Sequence, residues 1–162
     1  VEICTVGSDD SRGIGFRTET FEVMCPVIAG KYPNFDRVIP DAEGMNRANV
    51  DRKAALAVLE RIAAVADAKG GACFINVAIK AKQFIALTTD EESKDHIELD
   101  EPVSVAMELG FQPKLLIPAL AAVKTEKACF LYTPSKGNDT GKVLIRDAEG
   151  SDWSVVVMPS RT

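Results

Sequence analysis

Two stretches of this chain use the same words in the same order. "AAVADAKGGACF" (residues 63–74) is answered by "AAVKTEKACF" (residues 121–130), with Cys73 and Cys129 56 positions apart. In each, Ala-Ala-Val closes a helical pattern, a short turn follows, and Ala-Cys-Phe opens an apolar strand. The first helix reads "DRKAALAVLERIAAVADAKGG": Leu56, Leu59, Ile62, Ala63 and Ala66 share one face, and Gly70–Gly71 end it. The strands "ACFINVAI", "QFIALTT" and "DHIELD" come next. "PVSVAMEL" opens a second round as a strand, followed by the helix "QPKLLIPALAAVK" and the strands "KACFLYTP", "KVLIRDA" and "WSVVVMP". Repetition of a strand–helix–three-strand unit restricts the fold sharply, because one such unit cannot cover its own apolar face. Two units side by side, both helices on one face of antiparallel sheets, form an α+β layer. Pro113 falls near the first turn of the second helix, where a missing N–H costs nothing. Pro118 lies opposite Leu116, Leu120 and Val123, and is expected to bend that helix without ending it.

The chain ahead of the repeat has a different character. "VEICTV", "IGFR" and "FEVMCPVI" read as three short strands with turns at "GSDDSRG" and "TET". Three strands without a helix cannot bury both faces, so this segment reads as the tail of a domain that starts earlier. The absence of a start methionine gives the same expectation. "AGKYPNFDRVIPDAEG" is rich in proline and glycine and reads as a stiff linker. The expected domains are residues 1–40 and 41–162.

Composition narrows the function. A net charge of −5 argues against gripping nucleic acid with the whole surface, though a local basic stripe is compatible with it. No window approaches the about 20 apolar residues of a membrane span, and "VEICTVGSDD" is neither a signal nor a transit sequence. Cys4, Cys25, Cys73 and Cys129 are scattered beside apolar residues, without a CxxC pair, and are expected to be buried reduced thiols. His96 is the sole histidine, so Cys–His nucleophilic chemistry depends on its reaching one thiol. No His/Cys/Asp cluster has metal-ligand spacing, and "TTDEESKD" reads as a solvated loop. The expectation is a protein that is not an enzyme and carries no cofactor or metal.

Motifs at the two ends of the repeat suggest what the protein does. "GKYPNFDRVIP" resembles the linker between the middle and last domains of the bacterial replicative sliding clamps, the β subunits of DNA polymerase III. "VVVMPSRT" resembles their carboxy terminus. The order and spacing of elements fit the third clamp domain, so the resemblance covers the whole chain and implies the processivity fold. It also implies a groove for short linear peptides, using Pro33, Arg37 and Val38 from the linker and Val156, Val157, Met158, Pro159, Ser160 and Arg161 from the tail. An apolar cleft with a methionine wall adapts to varied side chains, and flanking arginines can pair with carboxylates or carbonyls. In the family a middle-domain loop with a Gly-His-Arg-type signature completes the groove. That signature is missing here, and Ser160 stands where many relatives carry a bulkier apolar residue, so weakened peptide affinity and a shallower floor are expected.

The resemblance implies three further features. The helices line a hole for duplex DNA, with Lys53, Ala57, Arg61, Ala64 and Ala68 turned outward on the first and Lys114, Pro118, Ala121 and Thr125 on the second. Lys53, Arg61 and Lys114 would then touch phosphates weakly and without reading bases. Ring closure into a homodimer uses the end of the first helix, here Val65 and Ala66, whereas this chain, lacking a first domain, is expected to be monomeric. Expected partners are clamp-binding peptides of polymerases and repair factors, in a cytoplasmic, nucleoid-associated setting without membrane. The alternative is a stand-alone adaptor that binds such peptides without encircling DNA.

Overall fold

The structure is a computed structural model. It describes all residues except 7–12, 29, 31–33, 35, 37, 69–72, 135–140, 151–152 and 161–162. The chain forms two compact units, Val1–Phe35 and Asp36–Thr162.

The smaller unit is an antiparallel sheet of β1 (Glu2–Val6), β2 (Gly13–Arg17) and β3 (Glu22–Pro26), in that order. Thr18 builds the second turn: its hydroxyl accepts the N–H groups of Thr20 and Phe21 at 3.3 and 3.1 Å. Arg17 and Glu22 close it with an ion pair of 3.0 Å. The register places Ile3, Phe16 and Val23 abreast, and all three are exposed. On the opposite face a Cβ at Gly15 would lie 2.8 Å from the Cys4 sulfur, so any larger residue there has to displace that side chain.

In the larger unit the repeat is complete: β4 (Asn46–Asp51), α1 (Arg52–Ala68), β5 (Ile75–Lys80), β6 (Gln83–Thr88) and β7 (Lys94–Glu98), then β8 (Met107–Phe111), α2 (Pro113–Ala121), β9 (Lys127–Tyr132), β10 (Val143–Asp147) and β11 (Ser154–Val157). The two halves of the repeat do not simply lie side by side. They exchange first strands: one antiparallel sheet runs β11-β10-β9-β4 and the other β7-β6-β5-β8. Each sheet therefore needs both halves of the repeat.

Local chemistry sets the helices. The Asp51 carboxylate accepts the Ala54 N–H at 2.7 Å, capping α1. Ala55, Val58, Leu59 and Ile62 form its buried stripe. Pro113 opens α2, which continues through the exposed Pro118 to Ala121. Beyond it, the chain turns on Asp147, a buried carboxylate that accepts the Lys124 N–H at 2.8 Å. Both helices contribute to one core with the inner faces of both sheets, including Val50, Ile79, Phe84, Phe111, Phe130 and Ile145. β9 is buried on both faces: Ala128, Phe130 and Tyr132 enter this core, while Cys129 and Leu131 join Leu144 in a smaller cluster.

Three expectations need correction. The strand read as "PVSVAMEL" starts only at Met107 and continues to Phe111. Residues 102–106 form a loop instead, tied by Val103 N–H to the Ala81 carbonyl at 2.7 Å and by the Tyr132 hydroxyl to the Val105 carbonyl at 2.5 Å. The quoted repeat words are also out of structural step, since Cys73 precedes β5 whereas Cys129 is the third residue of β9. Lastly, of the four free cysteines only Cys129 is buried; Cys4 and Cys73 are half-buried and Cys25 is exposed. Cys25 sits on β3, an edge strand whose side chains are all exposed.

Candidate functional site

The last strand is built to present its end. β11 is the outer strand of its sheet and pairs with β10 through Val143↔Val157, Leu144↔Val156 and Ile145↔Val155. Alternation sends Val155 and Val157 into the main core and Val156 to the opposite face, against the cluster of Cys129, Leu131 and Leu144. Ala42 and Met45 pack on that same cluster. Segments more than a hundred residues apart in sequence therefore share one apolar face of the sheet. Just upstream, Val38 and Ile39 are exposed at 48% and 47%.

After β11 the chain does not fray at once. Met158 stands out at 54% exposure, whereas Pro159 is buried. Ser160 donates its main-chain N–H to the Gly110 carbonyl of β8 at 2.8 Å. Of the residues expected to form the groove, Val38, Val156, Val157, Met158, Pro159 and Ser160 have described positions in the larger unit. Val157 faces the core and not a groove. Pro33, Arg37 and Arg161 lie outside the described residues. The residue pattern did not single out Leu115, an exposed leucine in the first turn of α2, the helix that packs against β11. Its signal was present: it is a large apolar residue next to, and not on, the Leu116–Leu120 stripe.

The helix faces are mixed in charge. Lys53 and Lys114 are exposed, as are Ala64, Ala68, Pro118 and Ala121, whereas Ala57 and Thr125 are half-buried. Arg61 is exposed too, but its guanidinium meets the Asp95 carboxylate of β7 at 2.6 and 2.7 Å. Hydrogen bonding from Arg61, helped by the His96 N–H, holds the Asp95 carboxyl below its ordinary range. A depressed carboxylate adds stability above its unfolded pKa of about 3.9, and loses that contribution as pH falls through the lower folded value. Arg61→Gln should therefore melt slightly below the parent at pH 7, with the gap narrowing as pH is lowered below the ordinary carboxylate pKa of about 3.9. Melting curves recorded from neutral pH downward check this.

Near the end of α1, Val65 is 38% exposed and Ala66 half-buried against the core. Beside them opens a largely apolar cleft of about 470 Å³, between the end of α1 and the start of α2, lined by Ala63, Ala64, Cys73, Phe74, Pro113 and Lys114 among others. Burial pushes the Cys73 thiol up, away from the reactive thiolate. The His96 imidazole lies 4.0 Å from Glu98. Among the described residues no group of three His, Cys, Asp or Glu side chains is placed to hold a metal ion, and no helix is long and apolar enough to cross a membrane.

No family model matches the chain. The β sliding clamp of Pseudomonas putida is 27% identical over 146 residues, which is 89% of this chain and 38% of that protein. The chain thus spans under two-fifths of the length of the curated relatives it matches. A crystal structure of the DNA polymerase III β subunit from Pseudomonas aeruginosa superposes with a TM-score of 0.72 at 23% identity, covering 93% of this chain and 40% of that one. The Helicobacter pylori β clamp bound to a DNA ligase peptide gives 0.67 at 15% identity, covering 99% and 41%. The chain has the sliding-clamp fold, duplicated unit and antiparallel sheets included, and in sequence it is similar to the carboxy-terminal part of bacterial β sliding clamps.

Proposed function

We propose that this chain is the carboxy-terminal portion of a DNA sliding clamp, comprising the end of the middle domain (residues 1–40) and the third domain (residues 41–162). In this reading it tethers polymerases and repair factors to duplex DNA by capturing their clamp-binding peptides. One observation carries the reading: Ala42 and Met45, beside exposed Val38, share an apolar sheet face with Val156, and that strand leads directly to exposed Met158. A half-exposed methionine beside aliphatic residues suits varied leucine, methionine and phenylalanine anchors. The Helicobacter pylori relative with a DNA ligase peptide bound supports a peptide as ligand. Pro33, Arg37, Pro159, Ser160 and Arg161 complete the proposed groove, and Leu115 joins it from α2.

The remaining roles are parts of the same proposal. Lys53, Arg61 and Lys114 touch phosphates weakly, Arg61 least because Asp95 already holds it. Val65 and Ala66 contribute to closing the full-length ring as a homodimer, whereas this chain alone is monomeric. The protein works in the cytoplasm, at the nucleoid, without enzymatic chemistry. The alternative, an adaptor that binds the same peptides without a ring, shares the groove and differs only in what precedes residue 1.

The direct test is a fluorescence-anisotropy titration of the 162-residue chain with a labelled hexapeptide, Gln-x-x-Leu-x-Phe. Saturable, weak binding is expected, lost when alanine replaces Leu and Phe. A flat titration contradicts the proposal.

A further inference from the structure

The bridge at the end of the chain joins two sheets. The tail leaves β11, the outer strand of one sheet, and Ser160 bonds to Gly110 of β8, the outer strand of the other. Between the β11 ladder and that bond stand only Met158 and Pro159. Pro159 is buried and its ring fixes its backbone angle. Met158, held at both sides, is the one residue of the three whose side chain is mostly exposed.

We infer that the Ser160–Gly110 bond is a latch holding Met158 in position for peptide capture, and that the positioning group is the main-chain N–H of Ser160. The inference rests on the peptide-binding reading above. Without the latch, Met158 and Pro159 lose their main-chain tie to the other sheet, and a bound peptide must order them at the moment of binding. With it, that ordering is completed on folding, so the bound form is favoured without any added contact. The latch needs no particular side chain at position 160. It needs an N–H there and the carbonyl of Gly110 opposite.

The prediction separates backbone from side chain. Ser160→Ala keeps the N–H and removes only the hydroxyl, so it is the reference against which Ser160→Pro is compared, and equal affinity of the two variants for the labelled hexapeptide overturns the latch. Ser160→Pro lacks the N–H and should bind about fivefold to tenfold more weakly, mainly through faster dissociation. Melting temperatures of both variants are measured alongside. If the parent and Ser160→Pro bind equally, the latch is overturned and the groove stands. If the parent fails to bind, the groove reading falls and the latch falls with it. Should Ser160→Pro melt far below the parent, amide exchange in the unaltered chain decides. A Ser160 amide protected in the free protein and slowed further by peptide supports the latch; exchange at the rate of an unstructured chain overturns it.

Discussion

Phe130→Ala lowers the stability of the 36–162 unit by about 3–5 kcal/mol and its melting temperature by on the order of 10–20 °C. Phe130 is fully buried in the middle of β9, abreast of Ala48 on one neighbour and Ile145 on the other. Its ring packs on Phe84 with centroids 5.7 Å apart and planes tilted by 56°. Phe84 belongs to β6, in the other sheet, so this aromatic pair joins the two sheets across the core. Edge-to-face pairs contribute about 0.5–1.5 kcal/mol beyond the area they bury. The void left by alanine is walled by strands fixed in their ladders, so it cannot close up, which puts the cost high in the range. Denaturant titration measures it, with Phe21→Ala as the exposed comparison, expected to change stability by less than about 0.5 kcal/mol. A loss under about 1 kcal/mol for Phe130→Ala would mean that the sheets are held together elsewhere.

Removing residues 158–162 should weaken capture of the labelled hexapeptide at least about tenfold, which is about 1.4 kcal/mol or more of binding free energy. The deletion takes away the exposed Met158 side chain, the buried Pro159 and the Ser160 bridge together. The fold itself should survive. The deleted segment contributes one described main-chain hydrogen bond and a small apolar area, about 1–2 kcal/mol of stability. Every strand and both helices lie upstream of it. A large drop in affinity with a small shift in melting temperature is thus the expected pair of results. Unchanged affinity with the same small shift would show that the tail is a structural terminus only.

How much of this was legible in the sequence depends on how local the cause is. The order strand–helix–three strands, twice, follows from apolar periodicity and from Gly70–Gly71 and Pro113, all of which act over a few residues. The passage of α2 through Pro118 was legible too, because Leu116 and Leu120 put that proline on the outer face. The exchange of β4 and β8 between the halves was not, since strand pairing is decided by partners far along the chain. β4 is also masked by its own composition: Arg47 and Asn49 point away from the core that Ala48 and Val50 enter, and the strand opens on a polar Asn46. β8 begins late because Val103 and Val105 spend their backbone groups on Ala81 and Tyr132 instead of on a ladder.

The candidate site divides in the same way. The apolar tail and its proline were visible as residue types. The convergence of Ala42 and Met45 with Val156 needed the sheet, and so did the assignment of Val157 to the core, which is a matter of register. The Ser160–Gly110 bond is a main-chain contact, and no side chain announces it. The partner of Arg61 is not local, since Asp95 lies 34 residues away on β7. Cys25 reads as buried because its neighbours are apolar, yet the described residues of its own small unit leave that strand exposed.

Methyl-resolved NMR of the chain titrated with the hexapeptide tests the central claim most directly, because it reports both halves of the groove at once. The Met158 methyl and the Val38 methyls should shift together, with one common saturation curve, while those of Val58 and Ile79 in the core stay fixed. Movement of Met158 without Val38, or of neither, would contradict a groove formed by two distant lengths of the chain.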